Sequence, residues 1–242
     1  MKILAIGDIH GRNIWKKAHF EDYDKIVFIG DYVDSNSVSD EETYTNLVEI
    51  IEQKKAQPDK IVLLLGNHDV QYLYYPFFRC SGFRILYKKT LIDIFLTNKD
   101  LFQVAYQVKN YLFTHAGVSQ SWYKEHLHFF TKDKTKSVGN VLNEMYFEHK
   151  AYDILFQTGI LRGGESLCGG IVWADKKETL GNLILGFHQI VGHSRVLKIE
   201  HIDGDVLETS ITYIDVLRTS DMFYEIEIKK NGTNIRHRRH IR

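Results

Sequence analysis

The chain has 242 residues, 44% of them hydrophobic and 26% charged, which excludes bulk disorder and allows a full buried core. Its formal net charge is zero with twelve histidines, which argues against a globally electrostatic partner such as duplex DNA. Two cysteines, Cys80 and Cys168, make no disulfide framework, and no apolar stretch approaches the roughly 20 residues of a membrane helix. The apolar start before Gly7 is too short for a signal-peptide core, so the expected setting is cytoplasmic and reducing.

In chain order, residues 2–6 form a first apolar strand that runs into Gly7-Asp8-Ile9-His10-Gly11. Residues 13–20 are expected as a short helix. Residues 25–29 are a second buried strand and run into Gly30-Asp31-Tyr32-Val33-Asp34. Asp40-Glu41-Glu42 opens a longer helix whose apolar face carries Leu47, Ile50 and Ile51. A third strand, residues 60–65, ends in Gly66-Asn67-His68-Asp69. This βαβαβ order predicts parallel strands with helices packed on the sheet.

The aromatic run at residues 72–78 reads as cover for a core edge. Residues 87–98 read as a helix, and residues 102–108 as a strand that pairs with residues 111–113 through a turn at Lys109-Asn110. Residues 119–130 and 137–148 are expected helices with serine caps. The glycine-rich stretch at 159–170, which holds Arg162, is expected to be loop. Beyond His193, residues 199–202, 206–215 and 223–228 are strand-like. The basic end, residues 236–242, reads as a solvated tail. The expected architecture is α/β: one domain over residues 1–242, two stacked mixed β-sheets flanked by helices, with the active site at the strand carboxyl ends.

One device recurs. Five apolar strands each deliver a metal-ligand type of residue beside a glycine, at Asp8, Asp31, Asn67, His115 and His193. A shared metal site explains this better than five separate polar loops. Asp8 and His10, two apart in an extended segment, would point the same way and chelate one ion. Asp31 is placed to bridge two ions, with Asn67, His115 and His193 completing the second. Mixed carboxylate, imidazole and amide ligands suit Mn²⁺, Fe²⁺ or Zn²⁺. Two such ions can clamp the entering and leaving oxygens of a phosphoryl transfer and supply hydroxide at neutral pH.

In that order the motifs GDIHG, GDYVD, GNHD, HAG and GH resemble the signature of the calcineurin-like metallophosphoesterases, within them the phosphoprotein phosphatase type of bacteria and phages. The resemblance implies that Asp8, His10 and Asp31 hold one metal, and Asp31, Asn67, His115 and His193 the other. It implies that His68 is the general acid for the leaving oxygen, held by Asp34. The single late histidine, followed by Ser194 and Arg195, resembles the phosphoprotein phosphatase and diadenosine tetraphosphatase side of the family. Two arginines that grip phosphate in those relatives are missing: Ser35 follows Asp34, and Ala174-Asp175-Lys176 follows Trp173. Arg162, Arg195 and Lys176 are the replacement candidates. The implied function is hydrolysis of phosphomonoesters with two divalent ions, Mn²⁺ first among them, and phosphoprotein serine/threonine as the first substrate class. The competing readings are a dinucleoside polyphosphate hydrolase, a nucleic-acid end-processing phosphatase, and a metal-binding scaffold without turnover.

Overall fold

The computed structural model describes residues 1–128, 136–148 and 151–228, together with the backbone of a strand at 238–240. Four strands, β1 (Lys2–Ile6), β2 (Lys25–Phe28), β3 (Ile61–Leu64) and β4 (Phe102–Gln103), run parallel in one sheet. The second sheet holds β5 (Ala105–Val108), β6 (Tyr111–Thr114), β7 (His188–Val191), β8 (Glu200–Asp203) and β9 (Ser210–Tyr213), in the order β5-β6-β7-β9-β8. The chain then returns to the first sheet, where β10 (Phe223–Glu227) lies antiparallel to β1 and β11 (Arg238–His240) antiparallel to β10. The sheets are flanked by α1 (Asp40–Ala56), α2 (Asn67–Leu73), α3 (Lys88–Thr97), α4 (Gln120–Trp122), α5 (Val138–Phe147), α6 (Tyr152–Leu155) and α7 (Lys176–Leu180).

Strand alternation sorts the apolar residues between two cores. Ile3, Ala5, Val27, Ile29, Val62 and Leu64 point between the sheets and meet Phe113, Ile190, Ile211 and Tyr213. The alternate residues Leu4, Ile6, Ile26, Phe28, Ile61 and Leu63 share the other core with Leu47, Ile50 and Ile51 of α1 and Leu91 and Phe95 of α3. Burial on both faces is why these strands are continuously apolar in sequence. Helix α1 starts at a reciprocal cap: Ser39 Oγ accepts from Glu42 N–H at 3.2 Å, and the Glu42 carboxylate accepts from Ser39 N–H at 3.3 Å.

Several local expectations are corrected. Residues 13–20 form no α-helix; two 3-10 turns, Ile14–Lys17 and Phe20–Asp22, make the crossover, with Trp15 buried beneath it. The expected strand at 102–108 divides at Val104. Its first part pairs with β3 in the first sheet and its second with β6 in the other, so one alternating run serves both sheets. The hairpin through Lys109 is present. In the stretch 206–215 only Ser210–Tyr213 is strand. The Ser119 and Ser137 caps are both made, while residues 129–130 of the first predicted helix lie outside the described residues. In the basic end, Arg238–His240 pair as an edge strand with β10, and 236, 237, 241 and 242 lie outside the described residues.

The ends of β2 and β3 approach so closely that only glycine fits. Gly30 has φ 106°, and a Cβ on it would lie 2.5 Å from Gly66 N. A Cβ on Gly66 would lie 2.1 Å from Asp31 Oδ1. Gly30→Ala therefore combines backbone strain with a clash against fixed backbone, and should cost roughly 2–4 kcal/mol. Gly163 also has positive φ, at 84°, but open space around it, so Gly163→Ala should cost only roughly 1 kcal/mol. Urea denaturation of both variants checks this; equal losses would mean that the close approach carries no energetic weight.

Candidate active site and metal centre

All five glycine-marked junctions stand at strand carboxyl ends: those after β1, β2 and β3 in one sheet, those after β6 and β7 in the other. The two parallel sets face the same edge, so their loops converge. Two groups of three ligand atoms result, each with its atoms within 4.8 Å of one another: His10, Asp31 and His68, and Asp31, His115 and His193. Asp31 belongs to both. Asn67 completes the second group, with Oδ1 2.9 Å from His193 Nδ1 and 3.1 Å from His115 Nε2. Asp8 lies alongside, its carboxylate accepting the backbone N–H of His193 at 3.0 Å.

The loops reach these positions through unusual backbone. His10 (φ 41°), Asp31 (φ 54°), Asp34 (φ 61°) and His193 (φ 59°) are all left-handed, a conformation that costs a non-glycine residue roughly 1 kcal/mol or more. The picture of Asp8 and His10 side by side on an extended segment is therefore wrong. The chain turns at His10, and its imidazole reaches Asp31 at 3.6 Å. Strain concentrated at these residues is what a site held for function would show.

The hydrogen bonds fix each imidazole's free nitrogen. His10 Nδ1–H donates to the Val33 carbonyl at 2.8 Å, and His115 Nδ1–H donates to the Ile29 carbonyl at 2.9 Å. That leaves both Nε2 lone pairs facing the centre, the arrangement of metal-ligating histidines. His115 Nε2 then meets Asn67 Oδ1, so two acceptors face each other unless a proton or a cation lies between them. His193 Nε2 is buried without any hydrogen-bond partner among the described residues. The donor set of imidazole, carboxylate and amide oxygen thus fits divalent metal, and the orphaned His193 nitrogen is open to one.

Electrostatics point the same way. Burial would raise Asp31, but His115, His68 and His10 hold it well below the usual carboxylate range. Burial pushes His10 down to about 4, and burial together with His115 and Arg162 pushes His193 well below its ordinary value. Both are therefore neutral, ready ligands at neutral pH. Burial opposes charge on His115 too, yet the Asp31 and Asp8 carboxylates lift it to about 9, so a proton holds this centre together in the absence of metal. Burial and Asp215 raise Asp8 well above its usual value.

His68 and Asp34 form a pair at the rim. His68 Nδ1–H donates to Asp34 Oδ2 at 2.8 Å, and the ring stands edge-on to His10 with centroids 5.0 Å apart. Burial disfavours its charge, but Asp31 and the bond to Asp34 raise its pKa well above 6.5.

The three phosphate candidates divide. Arg162 is at the site: Nη2 donates to Ser194 Oγ at 2.9 Å, and Nε is 2.8 Å from Asp175 Oδ2. Arg195 is exposed, within electrostatic reach of buried Asp215. Lys176 is neutralised by Glu200 at 2.5 Å and lies over the Tyr213 ring. Ser35 is buried, and its Oγ closes a turn by accepting from Ser37 and Val38 N–H.

The calcineurin-like phosphoesterase family model matches residues 1–209. The chain belongs to this family. No curated protein matches the sequence. Among solved structures it resembles the cold-active protein-tyrosine phosphatase of a psychrophilic Shewanella, at 17% identity and TM-score 0.57, over 93% of this chain and 75% of that one. It also resembles a protein serine/threonine phosphatase from Saccharomyces cerevisiae with similarity to human phosphatase PP5, at 14% identity and TM-score 0.54, over 100% of this chain and 81% of that one. At such identity these two show the shared fold, two mixed sheets between helices. The family membership makes this chain a metal-dependent phosphoesterase acting on a phosphorylated substrate. No helix among the described residues is long and apolar enough to cross a membrane.

Within this phosphoesterase, Asp69, Gln71, Tyr72 and Arg12 do work that the motifs alone do not assign. Asp69 accepts N–H bonds from Asp31, Tyr32 and Gly66 at 2.7, 2.9 and 2.8 Å, fastening the β2 and β3 loops together. Asp34 is gripped by three donors: His68, Gln71 Nε2 and the Tyr72 hydroxyl at 2.5 Å. Tyr72 belongs to the aromatic cover expected over residues 72–78, and its full burial with the hydroxyl on Asp34 gives it a second use. Arg12 follows the first motif directly, half-buried, with Nη1 on the Ile9 carbonyl and its charge facing Asp215 and Asp8.

Proposed function

We propose that this chain is a dinuclear-metal phosphomonoesterase, with phosphoprotein serine/threonine side chains as its substrate class and Mn²⁺ as its preferred ion. The observation that carries the reading is the Asp31 carboxylate, shared by two convergent donor groups. Asp8, His10 and Asp31 would hold one ion, and Asp31, Asn67, His115 and His193 the other. Bound there, two divalent ions supply phosphoryl polarisation and a water of lowered pKa. Mn²⁺ suits the mixed oxygen and imidazole donors, with Fe²⁺ and Zn²⁺ as substitutes.

The chain's own residues do the rest. Asp34 fixes the His68 ring, which holds a proton for the departing oxygen. Arg162, beside His193, is the cation we assign to orienting the phosphoryl group, in place of the arginine missing at Ser35. Of the two solved structures it resembles, the yeast protein is a serine/threonine phosphatase, which supports the substrate class, while the Shewanella protein acts as a protein-tyrosine phosphatase. Neither cysteine is in a disulfide, in keeping with a cytoplasmic setting.

A turnover panel with Mn²⁺ tests this: a phosphoserine peptide, a dinucleoside tetraphosphate and an RNA 3′-phosphate, at matched concentrations. The phosphopeptide should give the highest kcat/KM. A higher value on the tetraphosphate or the RNA end would replace the proposed substrate class, and no turnover on any would favour a scaffold.

A further inference from the structure

A third set of ligand atoms lies against the His68–Asp34 pair and contains sulfur. Cys80 sits in the connection between α2 and α3, in a segment tied at two points. Its N–H donates to Gln71 Oε1 at 3.1 Å, and Arg84 N–H donates to the Tyr72 hydroxyl at 2.7 Å. The thiol faces the Asn67 carbonyl at 3.8 Å. Two residues on, Gly82 lies against the pair; a Cβ there would be 3.3 Å from Asp34 Cβ and 3.5 Å from His68 Cε1. One ligand atom each from Asp34, His68 and Cys80 lie within 4.8 Å of one another.

Thiol, imidazole and carboxylate are the donors that Zn²⁺ takes in proteins, with bonds of about 2.0–2.3 Å. Small side-chain rotations would close these atoms onto one cation. The Asp31-centred groups, by contrast, offer only nitrogen and oxygen, which suits a harder ion such as Mn²⁺. Sulfur is what separates the two sites.

We propose that Asp34, His68 and Cys80 form an inhibitory site for a thiophilic divalent cation such as Zn²⁺, beside the catalytic metal centre and sharing His68 with its His10–Asp31 donor group. As the metal–sulfur and metal–nitrogen bonds form, the thiol proton and the proton on the ligating His68 nitrogen leave to solvent, and no electron is transferred. The imidazole and carboxylate that serve proton donation become ligands instead, and the leaving oxygen loses its donor. The inhibition rests on the proposed role of His68 as acid; the cation binding does not.

The test uses Mn²⁺-loaded full-length protein, wild type and Cys80→Ser. Zn²⁺ is titrated against turnover of a phosphoserine peptide. Co²⁺ is titrated in parallel for the near-ultraviolet sulfur-to-cobalt charge-transfer band. Wild type should develop the band to one cobalt per chain and lose phosphoserine turnover as Zn²⁺ rises. Cys80→Ser should keep basal turnover, show no band, and need at least about tenfold more Zn²⁺ for half inhibition. No band in wild type, or equal zinc sensitivity in both proteins, would overturn the proposal. A band without loss of turnover would overturn the inhibition and count against His68 as acid, while leaving the metal-centre reading intact.

Discussion

Asp31→Asn should bind less than one divalent ion per chain and lose roughly 10²–10³-fold or more in phosphatase turnover, the scale of removing a principal electrostatic contributor. The reason is the position of its carboxylate. It lies 3.6 Å from His10 Nε2 on one side and 3.4 Å from His115 Nε2 on the other, and it accepts the His68 backbone N–H at 3.0 Å through its other oxygen. An amide there would present N–H groups or a neutral oxygen to the imidazoles, so both donor groups lose their anion together. His10→Ala removes a ligand from one group only and should leave the second ion in place, with a smaller loss of turnover. Elemental analysis after dialysis separates the cases, with melting of the chelated proteins as the control for folding. Two retained ions in Asp31→Asn would show that the carboxylate is not shared.

His68→Asn should keep both metal ions and bind product normally, yet lose far more turnover on phosphoserine than on p-nitrophenyl phosphate. A positioned proton donor is worth roughly 10²–10⁴-fold when the leaving oxygen is an alkoxide, and little when it is an acidic phenol. His68 has the geometry of such a donor, with one ring nitrogen committed to Asp34 at 2.8 Å and the ring against His10. Asp34→Asn should show the same bias at smaller size, because Gln71 and Tyr72 still hold that side chain in place. The double variant should be little worse than His68→Asn, as for groups acting as one unit. His68 is also one of the three ligand atoms near His10 and Asp31, so the experiment has a second outcome. Loss of metal in His68→Asn would make this histidine a ligand, and equal losses on both substrates would make it a positioning group.

How far the site could be read before folding depended on what kind of information placed each residue. The five strand-to-glycine junctions were legible because a buried parallel strand must be apolar and its end must turn; residue type and order carry both facts. The sheet partners of residues 102–108 were not legible, since alternation is the same whether a strand pairs in one sheet or changes sheets at Val104. The 3-10 crossover after β1 was missed because Trp15 and its neighbours have helix-compatible spacing, while the short span onto the sheet allows only tight turns. The left-handed turns at His10, Asp31, Asp34 and His193 could not be located from residue type, because Asp and His favour that conformation only weakly and glycine, its strong marker, stands at none of them. The roles of Asp69, Gln71 and Tyr72 depend on partners more than thirty residues away, which no local pattern reports.

The most direct test of the shared centre is anomalous diffraction at the manganese edge from crystals of the Mn²⁺-loaded protein. Two peaks are expected, both within ligand distance of the Asp31 carboxylate, one also against His10 and the other against His115 and His193. A single peak, or two peaks of which one does not touch Asp31, would contradict the account.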